Sequence, residues 1–409
     1  MQPPSQRENR RPSVGKTALI HGGLFLLALC TTLLAGAELN SGKFWLNYEG
    51  MYPPERILAL QEIWLGLPYA LSFLSFLTFH EFGHYFTARY HQVKASLPYY
   101  LPLFVPIPGM LNIGSLGAVI RLRQIPSTTR KYFDIGIAGP IAGFVISLLL
   151  LGYGFTHLPE KETYVTDREP DYIRYFGHVP SEQELFSFIQ AEAADGDDVQ
   201  VMAYYVGTSL LFEGMKAVLV EDMSQMPTHF DLLHYPFLFV GYITLFFTAL
   251  NLLPIGQLDG GHVMYGMFGR KASGYIARGA TVLLLFLGGT GLVKFEGVDA
   301  WGFLYIGLYL MFMIYVFSFI FGKERWKEVG AISLLVFLMQ ALIAWNFPDI
   351  QPNMIWLIYT FMVVRFVGLD HPPATFEHRV NRPRQVLGWV AILIFILCFT
   401  PTPLQVIGG

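Results

Sequence analysis

The chain has 409 residues, of which 53% are hydrophobic and only 14% charged. A soluble domain carries about 25% charged residues, so an ordinary cytosolic protein is excluded. The net charge of −3 gives no sign of a nucleic-acid partner, and none is expected. The only cysteines, Cys30 and Cys398, both sit in apolar runs; a disulfide framework and a Cys-rich structural zinc site are excluded with them.

The polar start leads into "TALIHGGLFLLALCTTLLAGA" (17–37), and about 20 apolar residues suffice to cross a bilayer. The run reads as an uncleaved first span, with a signal cleaved after "LLAGA" as the alternative. Further spans are expected near 63–90, 133–155, 236–254, 276–294, 299–321, 328–346 and 386–402, and the shorter run 354–369 is a further candidate. The expected fold class is therefore an all-α polytopic membrane protein with eight to nine transmembrane helices. Cytoplasmic loops collect Lys and Arg. Arg7, Arg10, Arg11 and Lys16 put the N-terminus in the cytoplasm. Alternation then puts Arg121, Arg123, Arg130 and Lys131 inside, followed by Arg270 and Lys271 and by Lys323, Arg325 and Lys327. Nine spans would also bring Arg379, Arg382 and Arg384 inside, so the charge distribution favours nine.

Two segments break this pattern. Residues 97–123, "LPYYLPLFVPIPGMLNIGSLGAVIRLR", are apolar but interrupted by Pro98, Pro102, Pro106 and Pro108, and proline removes a donor and kinks a helix. Irregular backbone survives at membrane depth only when buried in protein or lining a wet cavity. A re-entrant loop or short hairpin ending in a strand, "GAVIRL", is expected. Residues 156–235 carry fifteen acids against four Lys or Arg, half of all the acids in the chain, and the alternation makes them extracytoplasmic. Within them Ser181 and Glu184 form a capping box at the head of "SEQELFSFIQ", so a small, partly helical insert is expected. The chain thus divides into a tail, first span and loop (1–62), a first core section (63–155), the insert (156–235), a second core section (236–275) and accessory spans (276–409).

The first core section holds "FLTFHEFGHYFTARY". His80 and His84 are four apart and share one helix face; with Glu81 they make the HExxH pattern of two zinc ligands and a general base. Ionisable groups inside a span cost about 2.5–3.5 kcal/mol and mark function by default; the blander reading is a mutually hydrogen-bonded cluster that packs helices. A catalytic zinc wants three protein ligands and an open position. The metzincin extension fails, because Thr87 and Tyr90 stand where its Gly and His belong and His91 is one residue out of register. The other candidate is Asp259 in "NLLPIGQLDGGHVMYG", where Pro254 stops a span and glycines surround the acid. Asp259 is alternatively a cap for the next short helix, and His262 is a rival ligand. Both motif-bearing helices run from outside to inside on the topology above, so their C-terminal halves meet at one depth near the cytoplasmic face. His371 and His378, in the tail "DHPPATFEHRVNRPR", read as incidental loop histidines, with a second metal site as the alternative.

"HEFGH" together with "NLLPIGQLDGG" resembles the site-2 protease family of intramembrane zinc metalloproteases, in which an HExxH helix is paired with an N-x-x-P-x-x-x-L-D-G motif on a later span. Asn251, Pro254, Leu258, Asp259 and Gly260 match that motif position by position, and "DIGIAGPIAGF" (134–144) is similar to the family's intervening core helix. The resemblance implies one zinc ion per chain, held by His80, His84 and Asp259, with Glu81 as base and Asn251 binding substrate or stabilising the oxyanion. Nothing reads as a PDZ domain, which places the chain nearer the PDZ-lacking branch. The expected partners are the lipid bilayer and transmembrane protein substrates cut in or near their spans. Zinc brings the pKa of water from about 15.7 toward 7, Glu81 is placed to shuttle the proton, and an unwound substrate strand can add to the edge of "GAVIRL". The rival reading is an ion or metal transporter lined by the same His, Glu and Asp; no inverted repeat supports it. A third is a non-proteolytic binding role.

Overall fold

Prolines set the limits of the central helices. The structure, a computed structural model, describes residues 14–47, 53–105, 107, 110–195, 203–293, 300–348 and 350–407; Arg7, Arg10, Arg11, Pro106 and Pro108 lie outside the described residues. Helix α1 (Val14–Ser41) is followed by short 3-10 turns and by α2 (Leu67–Tyr90), which begins where Pro68 can sit in its first turn. The strands β1 (Tyr99–Pro102) and β2 (Ser115–Val119) lead to α3 (Thr129–Thr156). The acidic segment forms α4 (Lys161–Thr166), α5 (Asp171–Phe176), α6 (Glu182–Asp195), β3 (Ala203–Val206) and α7 (Leu210–Leu219). Helix α8 (Pro236–Leu252) stops because Leu253, the residue before Pro254, is extended (ψ 132°). Then come α9 (Asp259–Phe268), α10 (Arg270–Gly289), α11 (Ala300–Phe321), α12 (Trp326–Asn346), α13 (Met354–Met362), α14 (Arg382–Cys398) and β4 (Leu404–Ile407).

Six helices among the described residues are long and apolar enough to cross a membrane by length and composition. They are Thr17–Ser41, Leu60–Tyr90, Thr129–Thr156, Arg270–Gly289, Gly302–Phe321 and Lys323–Asn346, while Pro236–Leu252 and Met354–Val367 are apolar but shorter. The protein is thus mostly helical and polytopic in character. Two apolar cores hold it together: Phe73, Phe133, Leu151, Phe239 and Leu245 bury where α2, α3 and α8 meet, and Leu285, Met313, Phe317 and Trp356 bury among α10, α11 and α13. Helix α3 lies between α2, α8 and α9. Small residues allow this: a Cβ on Gly83 of α2 would lie 2.6 Å from the Ala138 carbonyl oxygen of α3, the close backbone approach that membrane helices use in place of a hydrophobic driving force.

The proline-broken segment forms an antiparallel hairpin, with Tyr99 opposite Val119 and Leu101 opposite Gly117, and the register slips at Pro102, which faces Ser115. The strand begins two residues earlier than "GAVIRL" because the buried Ser115 hydroxyl donates to Leu101 O (2.9 Å); beyond Val119 the hairpin continues as the single bridge Ala95–Leu122. Helix α1 holds it. Thr31 donates to Gly114 O (2.6 Å), and Asn112 donates to the Glu38 carboxylate (2.9 Å).

In the acidic segment the expected capping box is realised: Ser181 N donates to the Glu184 carboxylate (2.8 Å) and Glu184 N to Ser181 Oγ (3.3 Å). The segment is clamped to the helices by a buried polar network. Arg56 binds Glu169 (2.9 Å) and Asp171 (2.8 Å); His234 reaches Glu169 (3.3 Å) through Nε2 and donates from Nδ1 to Leu39 O (2.6 Å). Asp231 accepts from Tyr172 (3.0 Å) and Thr228 (2.7 Å). Strand β3 pairs with β4 in antiparallel register, Ala203 opposite Ile407 and Val206 opposite Leu404.

Candidate metal centre

The helical spacing of His80 and His84 does what it promised. Both rings leave α2 on the face that meets α3, both are buried, and their Nε2 atoms stand 3.1 Å apart. The His84 ring is fixed by its other nitrogen: Nδ1 lies 2.7 Å from Ile135 O on α3, so Nδ1 carries the proton and Nε2 presents a lone pair. Asp259, the first residue of α9, directs Oδ2 to the same point, 3.2 Å from His84 Nε2 and 3.5 Å from His80 Nε2. It is not a helix cap, since the N-cap position belongs to Leu258 and carries no side-chain bond.

Two nitrogens and a carboxylate oxygen thus converge in a triangle with edges of 3.1–3.5 Å. Bonds of 2.0–2.2 Å to a tetrahedral zinc imply ligand–ligand edges of about 3.3–3.6 Å, so the donor set fits that ion in kind and in spacing. Among the described residues these three are the group of histidines and acids that can hold a metal. His262, the rival to Asp259, points elsewhere: its Nδ1 is 2.6 Å from His371 Nε2. His378 contributes its backbone N–H to Thr129 Oγ1 (3.0 Å), and among the described residues His371 and His378 belong to no group of three or more histidines and acids that could hold a metal.

Glu81 is buried beside the cluster, with Oε1 4.0 Å from His80 Nε2 and its carboxylate against the backbone of Ile120, just past β2. The hairpin is tied to the same helix, since the hydroxyls of Tyr100 on β1 and Thr78 on α2 are 2.7 Å apart. Asn251 is on the last turn of α8, half-buried, and its side chain makes no hydrogen bond to another described residue. The packing of α3 is shaped to the cluster. A Cβ on Gly139 would lie 2.0 Å from His84 Nε2, and one on Gly143 would lie 3.3 Å from His80 Nδ1.

Residues 68–288, just over half of the chain, match the description of peptidase family M50, the site-2 protease family. The chain belongs to this family. The M50 match takes in all but the first residue of α2, the hairpin, α3, the acidic segment, α8, α9 and all but the last residue of α10, and so covers every member of the cluster. The chain is also similar to "Probable zinc metalloprotease EGY1, chloroplastic" of Arabidopsis thaliana, 29% identical over 279 residues, 64% of this chain and 42% of that protein. The protein of the same name from Oryza sativa subsp. japonica is 28% identical over 226 residues, 54% and 31% of the two chains. "Probable zinc metalloprotease EGY2, chloroplastic" of Arabidopsis thaliana is 27% identical over 222 residues, 54% and 32%. The chain therefore spans less than half the length of these curated M50 relatives. No solved structure matches it significantly.

Proposed function

We propose that this chain is an intramembrane zinc metalloendopeptidase that hydrolyses peptide bonds in or near transmembrane segments of other membrane proteins. The observation that carries the reading is the convergence of His80 Nε2, His84 Nε2 and Asp259 Oδ2 next to a buried Glu81. In this reading the three hold one zinc ion, which when bound supplies Lewis acidity and brings the pKa of water toward about 7. Glu81 takes the proton of the attacking water on its carboxylate and returns it to the departing amide nitrogen. Asn251 donates to the substrate carbonyl as charge builds on its oxygen. Substrate backbone, unwound to be cut, adds as a strand beside β2, which regains the hydrogen bonds that the helix gave up. A transport role for the same cluster is less well supported, because the match to a peptidase family does not call for it.

The site is proposed to open toward the cytoplasm. Arg89, Arg121, Arg123, Arg130 and Lys131 crowd that end of α2 and α3, as the positive-inside rule asks. The β3–β4 pairing supports a nine-span topology with the acidic insert outside. It puts the insert and the segment after α14 on one side, so an even number of crossings must separate them. Helices α8, α10, α11, α12, α14 and Met354–Val367 supply that even number.

The test is zinc stoichiometry and cleavage of a membrane-embedded substrate by the purified wild type and Glu81→Gln. The variant should keep zinc and lose cleavage by about 10²–10⁴-fold. A variant that cuts at the wild-type rate, or a wild type that takes up no zinc, would overturn the reading.

A further inference from the structure

The third ligand of the proposed site sits on α9, a short helix packed on α3. Helix α9 has ten residues and follows the break at 253–258, so its own hydrogen bonds do little to fix its rotation about its axis. Rotation is what aims Asp259. Besides its packing on α3, α9 is held by hydrogen bonds from the segment between α13 and α14, far outside the M50 match. His371 Nε2 meets His262 Nδ1 at 2.6 Å. Tyr265 donates to the Glu377 carboxylate (2.7 Å) and accepts from Ala374 N (2.9 Å), and Val380 N donates to Gly266 O (3.1 Å). His262 and Gly266 lie three and seven residues after Asp259, the spacing that returns to one helix face.

The same segment is fastened at its other side to the elements that carry the histidines. Phe376 N donates to Ser127 O (3.0 Å) and Thr129 Oγ1 to Phe376 O (3.2 Å), just at the start of α3. Arg384 grips Asp134 with two nitrogens (2.6 and 2.8 Å), and Asp134 also meets His91 Nε2 (2.8 Å) at the end of α2. One stretch of chain thus references α9 to α2 and α3. His371 is its central pin. Its ring is buried, stacked on Tyr265 (4.0 Å) and set edge-on to Tyr132 (4.7 Å). Its Nδ1 meets Pro372 O at 2.6 Å, so Nδ1 carries the proton, Nε2 accepts, and His262 must donate. Burial holds the ring neutral, with its pKa pushed down to about 4.

We infer that residues 369–384 form a strap that positions the third metal ligand, with His371, acting through His262, as the positioning residue for Asp259. This rests on the reading of His80, His84 and Asp259 as a zinc site.

The test uses the full chain in detergent or nanodiscs. Zinc affinity is measured against a competing chelator, and the visible spectrum of the cobalt-substituted protein reports the ligand geometry. His371→Ala should lower zinc affinity about tenfold, the lower end for loss of a group that supports a ligand, and shift the cobalt bands. His371→Gln, which returns an acceptor near the place of Nε2, should restore most of both, while melting stays close to wild type. Tyr265→Phe, which loses two strap bonds, should move both readouts the same way and carries the test if His371→Ala does not fold. Affinity within twofold of wild type with an unchanged cobalt spectrum in these variants would overturn the strap and leave the zinc site standing. A wild type that takes up no metal would instead overturn the site, and the strap with it.

Discussion

Two buried clusters of histidine and acid lie on different elements of this protein, and their chemistry differs although their residue types do not. In the clamp, each polar atom has its own opposite: Glu169 takes Arg56 and His234, Asp231 takes Tyr172 and Thr228, and His234 gives both its protons. No clamp side chain is left with an unpaired buried polar atom. In the cluster of His80, His84 and Asp259, ligand atoms face one another: His84 Nε2 looks at His80 Nε2 and at Asp259 Oδ2, and among the described residues His80 Nδ1 has no partner. A closed network of donors and acceptors stabilises a fold. Three converging atoms of metal-ligating type suit a cation, and a buried polar network left incomplete is costly without one.

The largest expected effect breaks the open cluster and spares the closed one. Gly139→Ala puts a methyl group 2.0 Å from where His84 Nε2 now sits; zinc retention should fall at least about tenfold, with the acidic insert as resistant to protease as before. Next, Glu169→Gln should leave zinc content unchanged and destabilise the docking of the insert by roughly 3 kcal/mol, the low end for removing one partner of a buried pair. Limited proteolysis within 160–235 measures it. If the zinc affinity follows the clamp mutation, the two clusters are not independent and the comparison fails.

The clamp also predicts a pH window. The Glu169 carboxyl is held below its ordinary 4.5, by His234 and Arg56 overcoming the burial that opposes them. His234 is held above its ordinary 6.5, again against burial, mainly by Glu169. A lowered acid stabilises above its unfolded pKa and loses that as pH falls through its folded value; a raised histidine stabilises below 6.5 and loses that as pH rises through its folded value. Insert docking should therefore be firmest between about pH 4.5 and 6.5 and weaken on both sides. Asp231, whose carboxyl burial raises, softens the acid limb. Protease resistance of the insert against pH checks this, and His234→Gln should flatten the alkaline limb. The smallest effect is at the surface: Ser181→Ala removes the cap of α6 and should cost about 1 kcal/mol of local stability, seen as faster amide exchange in its first turn.

Much of the site was legible in the sequence because it is local. HExxH needs only a helix, Pro254 ends α8 by its own ring, and Ser181 with Glu184 writes its own cap. Asp259 was recoverable because a topology rule put it at the depth of the histidines. What could not be read is what joins distant stretches without periodicity. His262 and His371 are 109 residues apart, and no pattern in "DHPPATFEHRVNRPR" marks one histidine as a partner and the other as a backbone contact. The same holds for Arg56 and Glu169, 113 apart. Gly139 is the wall behind His84, which no sequence pattern marks, since that depends on how α2 turns against α3.

The pairing of β3 with β4 has a consequence for how the molecule is made. Ala203 meets Ile407 across roughly half the length of the chain, and contacts of such long reach form late. The insert is synthesised early, yet its sheet waits for residues that follow α14, so it closes only after the accessory helices have been threaded into place. A chain halted before Leu404 would carry an open strand edge on the insert. That edge is a flag that assembly is unfinished, and the last strand takes it down.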